Sequence, residues 1–97
     1  MNPFDLVKHM KNIQSQMSEM QSKLDTIRAT GSSGGDMVSV TLNGKMEVIS
    51  LSISEEIVDP QDVSTLEVLV ASAFNAAVEQ IQEVLKKEAL SLGGAMQ

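Results

Sequence analysis

Six apolar residues near the start of the chain, Leu6, Met10, Ile13, Met17, Met20 and Leu24, are separated by steps of 4, 3, 4, 3 and 4. That spacing is a heptad seam: Met10, Met17 and Leu24 share one position, and Leu6, Ile13 and Met20 share the other. It predicts a helix over 3–24. Asn2 can cap it, Pro3 suits the first helical position, and Asp5 sits in the first turn, where the macrodipole favours a carboxylate. The remaining faces are mostly Gln, Ser and Lys. So narrow a stripe suits packing against another helix. A chain of 97 residues buries only a modest core by itself. The economical cover for the seam is therefore the same element of a second copy.

The middle of the chain reads as sheet. Val38, Val40 and Leu42 alternate with Ser39 and Thr41, and Asn43-Gly44 follows. That pair is favoured in a type I′ hairpin, which needs positive φ at both central residues. Ile49, Leu51 and Ile53 alternate on the return strand. A two-residue turn would set Val40 opposite Glu47, so the apolar phase slips near Val48-Ile49 and a β-bulge is expected there. Thr26 to Thr30 is rich in β-branched residues and starts an earlier strand, while Gly31 to Asp36 reads as a flexible connection. The strands are expected at 26–31, 37–42 and 45–54. A second helix is expected over 64–91. Ser64-Thr65-Leu66-Glu67 fits a capping box, and a wide stripe from Leu66 to Leu85 faces the core. Gly93-Gly94 stops this helix and leaves 92–97 as a frayed tail. Neither connection between strands is long enough for a parallel crossover. The expected fold is thus α+β, a single domain over 1–97. It is a two-layer α-β-β-β-α subunit with a three-stranded antiparallel sheet, in an intertwined or tightly packed homodimer.

Several chemistries are excluded. Cysteine is absent, which removes disulfides, zinc–thiolate sites and thiol nucleophiles. Phe4 and Phe74 are the only aromatic residues, too few for a base-stacking platform. No apolar run approaches the ~20 residues of a membrane span. The N-terminus has no basic region followed by an apolar one, so a soluble cytoplasmic protein is expected. His9 has no Ser and carboxylate arranged with it and reads as a surface imidazole. Glu55, Glu56, Asp59 and Asp62 lack the glycine turn of a calcium loop and read as a solvated acidic segment. The run Gly31 to Gly35 lacks a phosphate-loop pattern and no helix directly follows it. Met10, Met17 and Met20 could form an adaptable recognition groove, but at heptad spacing they read as helix–helix core. No catalytic residue, metal ligand or cofactor site is expected.

The net charge is −6, which opposes non-specific nucleic-acid binding. The charge is unevenly spread, however. Residues 1–30 carry Lys8, Lys11, Lys23 and Arg28 against Asp5, Glu19 and Asp25, a net of +1. Residues 31–65 carry Lys45 against Asp36, Glu47, Glu55, Glu56, Asp59 and Asp62, a net of −5. Residues 66–97 carry Lys86 and Lys87 against Glu67, Glu79, Glu83 and Glu88, a net of −2. An anion would be met by the ends of the chain and not by its middle.

Three stretches together resemble a known family. They are Ala29-Thr30-Gly31-Ser32-Ser33-Gly34-Gly35, Val38-Ser39-Val40-Thr41-Leu42-Asn43-Gly44-Lys45, and Leu66-Glu67-Val68-Leu69-Val70-Ala71-Ser72-Ala73-Phe74-Asn75-Ala76-Ala77. They are similar to the YbaB/EbfC family, as is the Met- and Gln-rich first helix, and the likeness runs from Leu6 to about Leu90. It implies a small bacterial nucleoid-associated protein in the cytoplasm. Such a protein is a homodimer with protruding helices that binds duplex DNA, and some members regulate transcription. In the family, DNA contact is attributed to the helices. Lys8 matches a family lysine, while Gln16 and Glu19 stand where the family tends to carry Lys. The resemblance, with the charge pattern, makes Lys8 and Lys11 the leading candidates for DNA contact, followed by Lys23, Lys86 and Lys87. The expected partners are duplex DNA and a second copy of the chain, with no membrane and no small-molecule substrate. The alternative is an acidic protein-interaction or chaperone-like dimer that uses the Met-rich helix and has little DNA affinity.

Overall fold

The computed structural model describes residues 2–96. The order is α1 (Pro3–Thr26), β1 (Arg28–Ser33), β2 (Val38–Asn43), β3 (Val48–Ile53), a 3₁₀ turn at Glu55–Ile57, and α2 (Val63–Met96). The strands form one antiparallel sheet in the order β1-β2-β3. This is the expected α-β-β-β-α arrangement.

The bulge falls where the sequence placed it. Thr41 pairs with Ser50 but Leu42 pairs with Val48, so Ile49 is the extra residue. The shift brings Val48, Leu51 and Ile53 onto the same face as Leu42, Val40 and Val38. On that face α2 crosses β1 and β2. Val38, Val40 and Leu42 are buried against Ala73, Ala77 and Ile81.

Several local expectations are corrected. The first strand begins two residues later than 26, because Thr26 ends α1 and its hydroxyl donates to the Lys23 carbonyl at 2.8 Å. Gly31 to Ser33 is not a flexible connection but the second half of β1. Gly31 is buried where the backbone of α2 comes closest: a Cβ there would lie 2.0 Å from the Ala77 nitrogen and 2.5 Å from the Ala73 carbonyl oxygen. Two residues on, the Ser33 hydroxyl donates to the Leu69 carbonyl at 2.6 Å.

The hairpin turn with positive φ at both central residues exists, but it joins β1 to β2. Gly35 and Asp36 have φ of 65° and 70°, and the Met37 N–H donates to the Gly34 carbonyl at 3.3 Å. At Asn43-Gly44 the expected type I′ turn is absent, and the positive φ, 65°, falls on Met46. The loop between β2 and β3 instead holds three residues within a side-chain cage. Asn43 Oδ1 accepts from the N–H groups of Lys45 and Glu47 at 2.9 and 3.0 Å, and its Nδ2 donates to Glu47 Oε1 at 2.9 Å. Asn at the first turn position makes such bonds readily, so the turn needs no left-handed residue at its own position. β3 accordingly starts at Val48 and not at 45.

α2 is capped by Asp62 rather than by the expected Ser64–Glu67 box. The Asp62 carboxylate accepts from the Thr65 hydroxyl at 2.6 Å and from the Thr65 N–H at 3.4 Å. The helix then runs through Gly93-Gly94 to Met96, past the expected stop at 91. Gln97, the last residue of the expected tail, lies outside the described residues.

The subunit is long and thin, 70 × 26 × 16 Å, with a radius of gyration of 19.7 Å. A compact domain of this length would have about 12–13 Å. α1 is the reason. Its root is tied down: the Gly44 N–H donates to the Leu24 carbonyl at 2.9 Å, Arg28 donates to the Asp25 and Ile27 carbonyls, and Lys45 pairs with Asp25 at 3.0 Å. These contacts satisfy carbonyls that a helix C-terminus leaves open. They also fix the angle at which the rest of α1 projects as an arm.

Candidate nucleic-acid interface

The arm exposes two faces of opposite character. On one lie five of the six seam residues, Leu6, Met10, Ile13, Met17 and Met20, each 45–59% exposed. Of the five, only Met20 has a neighbour from another element among the described residues, lining a cleft with Leu85, Glu88 and Ala89 of α2. Leu24 alone is half-buried, at the root. At 100° per residue, Lys8, Lys11, Ser15 and Ser18 fall on the opposite face. A partner helix on the seam would leave that face open.

The cations sort into two groups. Lys23 pairs with Glu88 at 2.7 Å, Lys45 pairs with Asp25, and Arg28 caps α1. These three act within the fold, clamping the root of the arm to α2 and to the hairpin. Among the described residues, Lys8 and Lys11 on the arm and Lys86 and Lys87 on the distal half of α2 are in neither ion pair. The pairing of Lys23 with Glu88, distant in sequence, was not readable from local spacing. It leaves Lys23 less available than the other four candidates. The acidic segment sits at the opposite end of the subunit's sheet layer, in the 3₁₀ turn and the cap of α2. Asp62 there is held below the usual carboxylate range, first by the Thr65 hydroxyl and then by the Thr65 N–H. It therefore stays ionised, and phosphate is repelled from that end.

A second apolar surface was not anticipated. Leu51 pairs with the buried Val40 and shares its face, yet Leu51 is 50% exposed because α2 stops short of β3. Val48 and Ile49 beside it are similarly exposed. β3 is also an edge strand with no Lys or Pro to discourage pairing. Its alternation was visible in the sequence, but which strand α2 would miss was not. The N-terminal Phe4, at the tip of the arm, was likewise visible only as a letter.

No described helix is long and apolar enough to cross a membrane. Among the described residues, the α1 arm thus exposes an apolar seam on one face and Lys8 and Lys11 on the other, and β3 leaves part of the sheet exposed. The profile of the YbaB/EbfC DNA-binding family matches residues 1–96, and the chain belongs to that family. A nucleoid-associated protein of Clostridium kluyveri is 36% identical over 95 residues, covering 98% of this chain and 83% of that protein. One of Granulibacter bethesdensis is 38% identical over 91 residues, covering 94% and 85%. The crystal structure of an uncharacterized Helicobacter pylori protein superposes with a TM-score of 0.71 at 26% identity, covering 95% of this chain and 97% of that one. The family is one of DNA-binding proteins and not of enzymes.

Proposed function

We propose that two copies of this chain form a dimer that binds duplex DNA through the α1 arms, in the cytoplasmic nucleoid, and that this binding contributes to transcription regulation. The observation that carries the reading is the separation of charge: Lys8 and Lys11, in neither ion pair, sit on the α1 arm on the face opposite the seam, which association leaves open. The names of the relatives support it.

The dimer follows from area. Burying a large apolar side chain is worth roughly 1.5–3 kcal/mol, and the five exposed seam residues each have about half of that left to gain. Both copies bury their seams in a dimer, so the ten side chains together are worth roughly 8–15 kcal/mol, comparable with the entropic cost of association, about 4–15 kcal/mol. The exposed β3 face adds further apolar area to bury.

Phosphate contacts then come from Lys8 and Lys11, with Lys86 and Lys87 behind them. Each lysine occurs twice in a dimer, so two modest clusters act on one duplex. The test is a duplex titration at low salt with the parent chain, Lys8→Ala/Lys11→Ala and Lys45→Ala. The arm variant should bind at least tenfold more weakly while staying folded and dimeric. Lys45→Ala, which removes the same kind of charge from an internal pair, should bind within about twofold of the parent. Equal binding by the parent and the arm variant would overturn the assignment. No binding by the parent would favour a protein-interaction dimer.

A further inference from the structure

Phe4 is out of place for a solvated or a dimerising residue. It is 77% exposed, the highest value for any large apolar side chain among the described residues. It is not on the seam. At 100° per residue it falls on the same face as Lys8 and Lys11, one turn and two turns before them. Packing a second copy on the seam would therefore leave it in water. Its position is also fixed. Pro3 opens the helix, Asn2 Oδ1 accepts the Phe4 N–H at 3.0 Å, and the Asn2 carbonyl accepts from Asp5 and Leu6 at 3.0 and 3.2 Å. A well-capped first turn presents the ring at the tip of the arm.

We propose that Phe4 is a wedge that enters a base step of the duplex held by Lys8 and Lys11, partly unstacks it and bends the DNA. The inference rests on the DNA-binding reading. The lysines lie about 6 and 10.5 Å along the helix axis from Phe4, which suits a ring at the groove floor and ammonium groups on the flanking phosphates. Apolar side chains inserted in this way kink duplexes by roughly 20–90°. Lys8 and Lys11 flank Phe4 on this face, with the half-exposed Val7 at its edge, and their charge favours a polyanion over an apolar protein surface as its occupant. A single wedge is a different device from the stacking platforms that the composition excludes, since it needs only one aromatic ring.

The chain has no tryptophan, so Phe4→Trp gives a lone fluorophore at the tip. Its emission should fall by about half or more on saturation with duplex, as an indole stacked on bases is quenched. Phe4→Ala should bind about tenfold more weakly, as the loss of one stacked ring implies. It should also lose the bend that the parent imposes, read by energy transfer between dyes at the two duplex ends. The variant should sediment as the parent does. Unquenched tryptophan at saturation, or equal bending by the parent and Phe4→Ala, overturns the wedge while leaving DNA binding intact. Loss of the dimer in Phe4→Ala overturns it by making Phe4 an interface residue. Absence of any duplex binding by the parent at low salt overturns both readings.

Discussion

Gly31→Ala adds one methyl group in a place with no room for it. The new Cβ would lie 2.0 Å from the Ala77 nitrogen, about 1.4 Å inside an ordinary contact, and its other near neighbours are the Ala73 oxygen and the Ala76 carbonyl carbon. All three are backbone atoms, so no rotamer change relieves the clash and α2 must lift from the sheet as a body. Overpacking by a methyl group costs about 1–3 kcal/mol in an ordinary core. A radial gap of about 0.5–1 Å forfeits a quarter to a half of each dispersion contact, and lifting α2 opens its contacts with Val38, Val40 and Leu42 together. We therefore expect a loss of about 3–4 kcal/mol. For a domain of this size that lowers Tm by roughly 15–25 °C, measured by circular dichroism at one fixed protein concentration because dimerisation makes Tm concentration-dependent. Gly35→Ala is the control. Unlike Gly31, it meets a positive φ, of 65°, but nothing lies within 4 Å of its Cβ, so about 1–2 kcal/mol is expected from the backbone alone. A Gly31→Ala shift below about 5 °C would refute the close approach of α2 to β1.

Gly44→Val should lower Tm because its Cβ would lie 2.8 Å from the Leu24 oxygen, whereas Met46→Gly should raise it by a few degrees by removing the strain of a left-handed methionine. An unchanged Tm for Gly44→Val in thermal melts would refute the close approach of Leu24 to Gly44, and a lower Tm for Met46→Gly would refute the strain assigned to Met46. Asp62 is held below its ordinary value of 3.8 by Thr65, so its stabilising share is complete above that value and disappears as pH falls through the lowered native value. Relative to Asp62→Asn, the parent's advantage in urea unfolding should be constant at neutral pH and shrink below pH ~3.8; an advantage that grows on acidification would contradict the cap. Met17→Asp places a charge in the seam and should convert the dimer to monomer at micromolar concentration, read by sedimentation velocity; an unchanged dimer would remove the seam from the interface.

The parts of the fold that were legible are those set by periodicity. The seam from Leu6 to Leu24, the alternation from Val38 to Leu42 and the slip at Val48-Ile49 each follow from side-chain spacing along one element. The misreadings came from residues whose conformation is set by tertiary neighbours. Gly31 looks like the glycines of a loop, because a glycine chosen for close approach carries the same letter as one chosen for a turn. Asn43-Gly44 has the composition of a type I′ turn, but the Asn43 side chain closes the loop through Glu47, and Gly44 is needed to admit Leu24. Asp62 and Ser64 are both good caps, and the turn at Asp59-Pro60 decides between them only in three dimensions. At the interface, the lysines were legible as charges. Their sorting was not, because the partners of Lys23 and Lys45 are brought in from other elements.

The salt dependence of duplex binding tests the central claim most directly. Each lysine that neutralises a phosphate contributes about one unit to the slope of log K against log salt concentration. The parent should give a straight line with a negative slope. Lys8→Ala/Lys11→Ala should flatten it by about two units if one arm engages the duplex, and by up to about four if both do. A parallel line for the double variant, displaced or not, would contradict the assignment of the α1 arms as the surface that holds DNA.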